Sequence, residues 1–184
     1  MIPKLDEDNI DIITVGQTQP YFIDTKKIKR LVKSLMESLG ISAFEISIQF
    51  TCPLEMKKLN HQFRNKDRST DVLSFPQMEF SEPITVENTY TDSVLESPSL
   101  QEYTKTIGDI VVSLEDAQQN SQKIGHQIDK EICFLLIHGL LHLCGHDHQE
   151  KKDEDIMIDQ QKKLLKSLSS QPIPDWNGCV EVSS

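Results

Sequence analysis

The chain has 184 residues, close to one ordinary domain, and its 37% hydrophobic and 26% charged content can build one sizeable core under a charged surface. Those proportions exclude collagen-like, low-complexity and wholly disordered chains. The formal charge of -10, from 19 Lys and Arg against 29 Asp and Glu, argues against indiscriminate polyanion binding but leaves local basic patches open.

Residues Met1 to Asp8 are acidic and unlike a signal peptide, and no apolar run reaches the roughly 18–20 residues of a membrane span. A soluble, cytoplasmic protein is expected. Cys52, Cys133, Cys144 and Cys179 form no C-x-x-C pair, so buried free thiols are expected rather than disulfides.

In chain order, Asn9 to Thr14 is rich in β-branched residues and reads as a first strand. Asp24 caps a predicted helix whose Ile28, Leu31, Val32, Leu35, Met36 and Leu39 follow the 3.6-residue period up to Gly40. Phe44, Ile46, Ile48 and Phe50 alternate with polar residues, the pattern of a strand with one buried face. Pro53 opens a second helix carrying Leu54, Met56 and Leu59. Turn residues from Arg64 to Thr70 then lead into a short strand, Asp71 to Phe75.

From Gln77 to Thr106 the pattern dissolves into Glu, Ser, Thr and Pro, and a long, mobile, acidic loop is expected. Ile107 to Ser113 is a continuous β-branched run, a buried strand, and Ser113-Leu114-Glu115-Asp116 resembles a capping-box helix start. Asp129 caps a long apolar helix ending at Gly145, and a last helix begins near Asp153. The expected organisation is one domain over residues 1–168, with 77–106 as an insertion and 169–184 as a flexible tail.

Four of the six histidines crowd into His138-Gly139-Leu140-Leu141-His142-Leu143-Cys144-Gly145-His146-Asp147-His148. His138 and His142 are one helical turn apart and leave the same face within about 40° of each other. Gly145 lets the backbone turn out of the helix, and His148 can swing back toward the pair. Three neutral imidazoles suit one Zn2+ ion per chain and leave a fourth position open, as in catalytic rather than structural sites. Cys144 points off that face, His146 is expected to face solvent or a neighbour, and Asp147 to orient an imidazole.

The same spacing occurs in H-E-x-x-H-x-x-G-x-x-H, the zinc motif of metzincin proteases, but Gly139 stands where those enzymes keep their general base. The metal geometry fits while the peptidase chemistry does not. His138-Gly139-x-Leu141-His142-Leu143-x-Gly145-x-Asp147-His148 resembles the signature of the YbeY family of rRNA maturation factors. Leu59-Asn60-x-x-Phe63-Arg64-x-x-Asp67-x-x-Thr70-Asp71-Val72-Leu73-Ser74-Phe75-Pro76 and Gly108-Asp109-Ile110-Val111-Val112-Ser113 agree with it.

That resemblance implies a zincin-like single α/β (α+β) domain, a small mixed four-stranded sheet covered by helices. It implies a metal-dependent, single-strand-specific endoribonuclease in 16S rRNA 3′-end maturation and ribosome quality control. The implied metal ligands are His138, His142 and His148, and Arg64 is the implied catalytic cation. The implied partners are single-stranded ribosomal RNA and the small ribosomal subunit with its associated factors, with neither membrane nor DNA.

Lys57, Lys58, Arg64, Lys66 and Arg68 form a basic strip that can guide a single strand, although Lys57 and Lys58 equally suit a solvated helix face. The proton acceptor stays open between a water chain, the RNA 2′-hydroxyl and Asp109. Two rivals remain at this level: a non-catalytic ribosome-assembly or RNA-binding factor with a stabilising zinc, and a zincin-type metalloprotease.

Overall fold

The computed structural model describes residues 9–89, 105–147, 150–169 and 176–183. The elements run β1 (Ile10–Val15), β2 (Tyr21–Ile23), α1 (Thr25–Ser38), β3 (Phe44–Thr51), α2 (Pro53–Arg64), β4 (Val72–Pro76), β5 (Lys105–Ser113), α3 (Leu114–Ile124), α4 (Ile128–Leu143), α5 (Lys151–Leu168) and β6 (Val180–Val182). The main sheet has the order β1-β3-β5-β4. β1, β3 and β5 are parallel, and β4 pairs antiparallel with β5. This is the small mixed four-stranded sheet under helices that the sequence leads one to expect.

Alternation along the strands gives the sheet two apolar faces. Ile46, Ile48 and Phe50 of β3 and Ile110 and Val112 of β5 join the main core with α1 and α4. Val111 of β5 and Leu73 of β4 point the other way, onto Met56 and Leu59 of α2. Helix α1 lays Ile28, Leu31, Val32, Leu35 and Met36 into the core, and the Asp24 side chain accepts from Lys27 N at 3.0 Å as the cap. Such a cap stabilises by about 1 kcal/mol.

Helix α4 is buried on most sides and packs against α3, α5, β4 and β5. It lies close against the sheet at Gly139, where a Cβ would lie 2.9–3.2 Å from three Ile110 side-chain atoms. The missing side chain is therefore what lets the histidine-bearing helix lie against β5. Among the described residues, no helix is long and apolar enough to cross a membrane.

Several expectations are corrected. Asp129 is not the helix cap: Gln127 holds that position, and the Asp129 carboxylate accepts from Lys130 N and from Gly178 N, both at 2.8 Å. Ser113 stands at the N-cap of α3, but its hydroxyl donates to the Asp116 carboxylate instead of accepting from a helix N–H.

The tail is not loose over residues 176–183. β6 pairs antiparallel with β2, and Trp176, Cys179 and Val180 are buried in the core. A three-residue strand whose partner lies at the other end of the chain carries no local signature. Within the acidic loop, Ile84 is buried and donates its N–H to Cys144 O at 3.0 Å, while Val86 N donates to Gln160 Oε1 at 2.9 Å. The segment 84–87 is thus strapped onto α5 and the end of α4. Residues 90–104 of that loop, and 170–175 of the tail, lie outside the described residues.

Candidate active site

Helix α4 ends in a Schellman arrangement: Gly145, at φ 87°, donates to His142 O at 3.1 Å, and His146 N donates to Leu141 O at 3.0 Å. This turn folds the His146 carbonyl back onto the helix end. His142 Nδ1 donates to that carbonyl at 2.9 Å, which leaves Nε2 as the nitrogen able to ligate.

His138, one turn earlier, sets its Nε2 3.1 Å from His142 Nε2, with the rings nearly perpendicular at 82°. Phe134 stacks over the other side of the His138 ring with centroids 6.4 Å apart. Two nitrogens that each bind zinc at about 2.0–2.1 Å in tetrahedral geometry lie about 3.3 Å apart. The observed separation fits that donor set. Among the described residues no group of three such donors converges. His148, the third expected ligand, lies outside the described residues.

Both rings open onto a cavity of about 260 Å³, also lined by Asn60, Arg64, Lys66, Arg68 and Asp71. Pro53 starts α2, and Asn65 ends it in the left-handed conformation (φ 53°) that Asn tolerates better than most residues. Buried Asn60 then donates to Arg68 O at 2.7 Å and holds the following turn over the cavity. Arg64 is exposed on the last turn of α2, with Nη2 3.4 Å from Ser74 O on the edge strand β4.

The basic strip divides in two. Arg64, Lys66 and Arg68 line the cavity, whereas Lys57 pairs with Asp67 at 3.3 Å and Lys58 with Glu55 at 2.7 Å on the outer face of α2. For the two lysines, the solvated-face alternative holds. Asp109 does not line the cavity and accepts from Gln77 Nε2 at 2.9 Å. Asp71, which does, accepts from Asn120 Nδ2 and Val72 N, each at 2.9 Å.

His146 does not face solvent. It is 4% exposed, its Nε2 lies 2.7 Å from Ile84 O, and burial lowers its pKa, partly offset by that carbonyl. Cys144 is fully buried, and desolvation pushes its thiol up to about 12. Asp147 is exposed. The outer partner of His138 is a residue sequence reasoning missed: Gln161 of α5, with Nε2 2.6 Å from His138 Nδ1. Its signal is a polar side chain within the buried stripe Met157, Gln161, Leu164 and Leu168.

A histidine pair on the central helix of a mixed-sheet α/β domain, beside a cation-lined cavity, has the makings of a metal-dependent hydrolase. The family model described as Endoribonuclease YbeY matches residues 13–169. A protein of Clostridium botulinum (strain 657 / Type Ba4) named Endoribonuclease YbeY is 35% identical over 144 residues, 78% of this chain and 87% of that protein. One of the same name from Clostridium kluyveri (strain NBRC 12016) is 36% identical over 147 residues, 77% of this chain and 90% of its own length. The solution structure of TM1509 from Thermotoga maritima superposes with a TM-score of 0.52 at 30% identity, covering 84% of this chain and 85% of that one. The chain belongs to the Endoribonuclease YbeY family.

Proposed function

We propose that this protein is a metal-dependent endoribonuclease that cuts single-stranded RNA and acts in the cytoplasm in 16S rRNA 3′-end maturation and ribosome quality control, on the small subunit. The observation that carries the reading is the single cavity shared by Arg64, Lys66, Arg68 and the His138–His142 pair on a chain of net charge -10. Positive charge is concentrated where an RNA backbone would need to lie. Buried free thiols at Cys133, Cys144 and Cys179 suit a reducing compartment.

His138, His142 and His148 are the proposed ligands of one Zn2+ ion. When bound, such an ion lowers the pKa of a coordinated water toward about 7 and neutralises charge on a phosphoryl oxygen. Arg64 grips a phosphate with its planar guanidinium and offsets the charge that grows on its oxygens in the transition state. Lys66 and Arg68 hold the flanking backbone electrostatically. Asp109 is turned to Gln77 and position 139 lacks a side chain, so neither is set to take the proton, and a water chain or the RNA 2′-hydroxyl stays open for that step.

The test is cleavage of a single-stranded RNA by the zinc-loaded protein beside His138→Ala, both purified identically and checked for folding by circular dichroism. Cutting by the wild type alone, stopped by a chelator, supports the reading. Equal cutting by both, or by neither, overturns it in favour of a non-catalytic assembly factor.

A further inference from the structure

Strand β4 closes the sheet on one side, paired with β5 along one edge and open along the other. In an antiparallel pair the N–H and C=O of one residue point the same way, toward the partner strand at every second position. Ser113 N donates to Asp71 O at 2.8 Å and Gln77 N to Ile107 O at 3.0 Å, so Asp71, Leu73, Phe75 and Gln77 turn their backbone groups toward β5. Val72, Ser74 and Pro76 therefore turn theirs outward.

The outward row is a poor template for another strand. Pro76 has no N–H, and Val72 N already donates to Asp71 Oδ1 at 2.9 Å. Ser74 keeps a donor: its N–H has no acceptor among the described residues, although Ser74 is only 6% exposed. Buried N–H groups without a partner are rare in folded proteins.

The Ser74 carbonyl, on the same side, is met by Arg64 Nη2 at 3.4 Å, which sets the guanidinium along this edge. The histidine cavity lies there too, because it is lined by Val72, Leu73 and Ser74 in succession as well as by His138 and His142. Neighbouring side chains leave opposite faces of a strand, so one cavity that meets all three residues runs along the backbone edge.

We propose that the Ser74 backbone N–H is a catalytic donor to a non-bridging oxygen of the scissile phosphate, completing with Arg64 a two-armed anion site. A strand-held amide suits charge that grows on that oxygen as phosphorus becomes five-coordinate, since it needs no reorientation. One donor serves one phosphoryl oxygen, whereas an added peptide strand would need a row of them. The inference rests on the endoribonuclease reading.

Ser74→Pro removes the N–H without breaking a ladder bond, a substitution that edge strands accept. On single-stranded RNA its kcat should fall by about 10²–10³ with KM little changed, the loss that follows removal of one oxyanion donor. Ser74→Ala, which loses the hydroxyl and keeps the N–H, should lose far less. The wild type supplies a readout that needs no variant to fold: a 2′-O-methyl single strand titrated into the isotope-labelled, zinc-loaded protein should move the Ser74 amide proton downfield. The Leu73 amide, tied into the ladder, should stay in place. Undiminished cutting by folded Ser74→Pro, an equal loss in Ser74→Ala, or a Ser74 amide that stays still while the Arg64 side chain responds overturns the inference alone. Equal cutting by wild type and His138→Ala, or none by either, overturns the nuclease reading and this inference with it.

Discussion

The carbonyl of His146 lies 2.9 Å from the Nδ1 of His142, so a residue beyond the end of α4 sets the proton position of a ring within it. The contact exists because Gly145 turns the chain at φ 87°, a conformation that costs other residues about 1–2 kcal/mol. A Cβ there would meet nothing closer than 3.6 Å, so the cost is conformational rather than steric. Gly145→Ala should lower unfolding free energy by about 1–2 kcal/mol in urea. It should also weaken Zn2+ binding, as read by chelator competition.

Gly139 presents the opposite case. It lies in regular helix, where Ala is favoured by about 1 kcal/mol, yet an added Cβ would press on the branched Ile110 side chain at 2.9–3.2 Å. Overpacking of this kind costs about 1–3 kcal/mol. Gly139→Ala should therefore be destabilising in chemical denaturation, and Gly139→Glu more so. A glutamate at this position should not yield zinc-dependent peptidase activity in a casein assay.

Arg64 is exposed, and its Nη2 makes a long 3.4 Å contact with Ser74 O. Arg64→Lys keeps the charge but loses the planar fork. The expected result is a fall in kcat on single-stranded RNA of about 10²–10³ with the melting temperature unchanged. A matching loss of stability would point to a structural role instead.

Trp176, the single tryptophan of the chain, is 8% exposed in the core. Trp176→Ala should cost about 3 kcal/mol, the lower end for a large aromatic residue removed from a core. The wild-type tryptophan emission should be blue-shifted and move to the red in one step with unfolding, where a loose tail would emit as if in water throughout.

Glu87 is held down to about 2 by hydrogen bonds from Lys163 and then Gln160, against the usual 4.5. A folded value below the unfolded one means that its stabilising effect is fully present above about 4.5 and is lost as pH falls toward 2. Glu87→Gln should speed hydrogen exchange at the Val86 amide at pH 6, and the difference from wild type should shrink as the medium is acidified through that window. Salt should reduce it as well, because the group is exposed to solvent.

Elements with a local cause were legible in the sequence. Helix α1 has both its apolar period and its Asp24 cap, and the turn at Gly145 needs a glycine. The histidine pair announced itself by spacing. What escaped depends on partners distant in the chain: β6 is defined by β2, the strap at 84–87 by α5, and Asp129 by Gly178. Gln161 escaped for the same reason, since its meaning comes from a histidine on another helix. For His146 the sequence left solvent and a neighbour both open, and the neighbour, Ile84 O, comes from a loop with no periodic pattern.

The pairing of β2 with β6 has a consequence for how the molecule is made. Tyr21 emerges early in translation and waits for Val182 until α5 and the residues after it have been synthesised. The three parallel strands raise the same demand, since each must find its neighbour across an intervening crossover. In a nascent chain β2 stays an open edge until β6 arrives. The β2–β6 closure is thus a long-range one, and a chain cut short before Trp176 would expose the apolar surface that Trp176, Cys179 and Val180 cover.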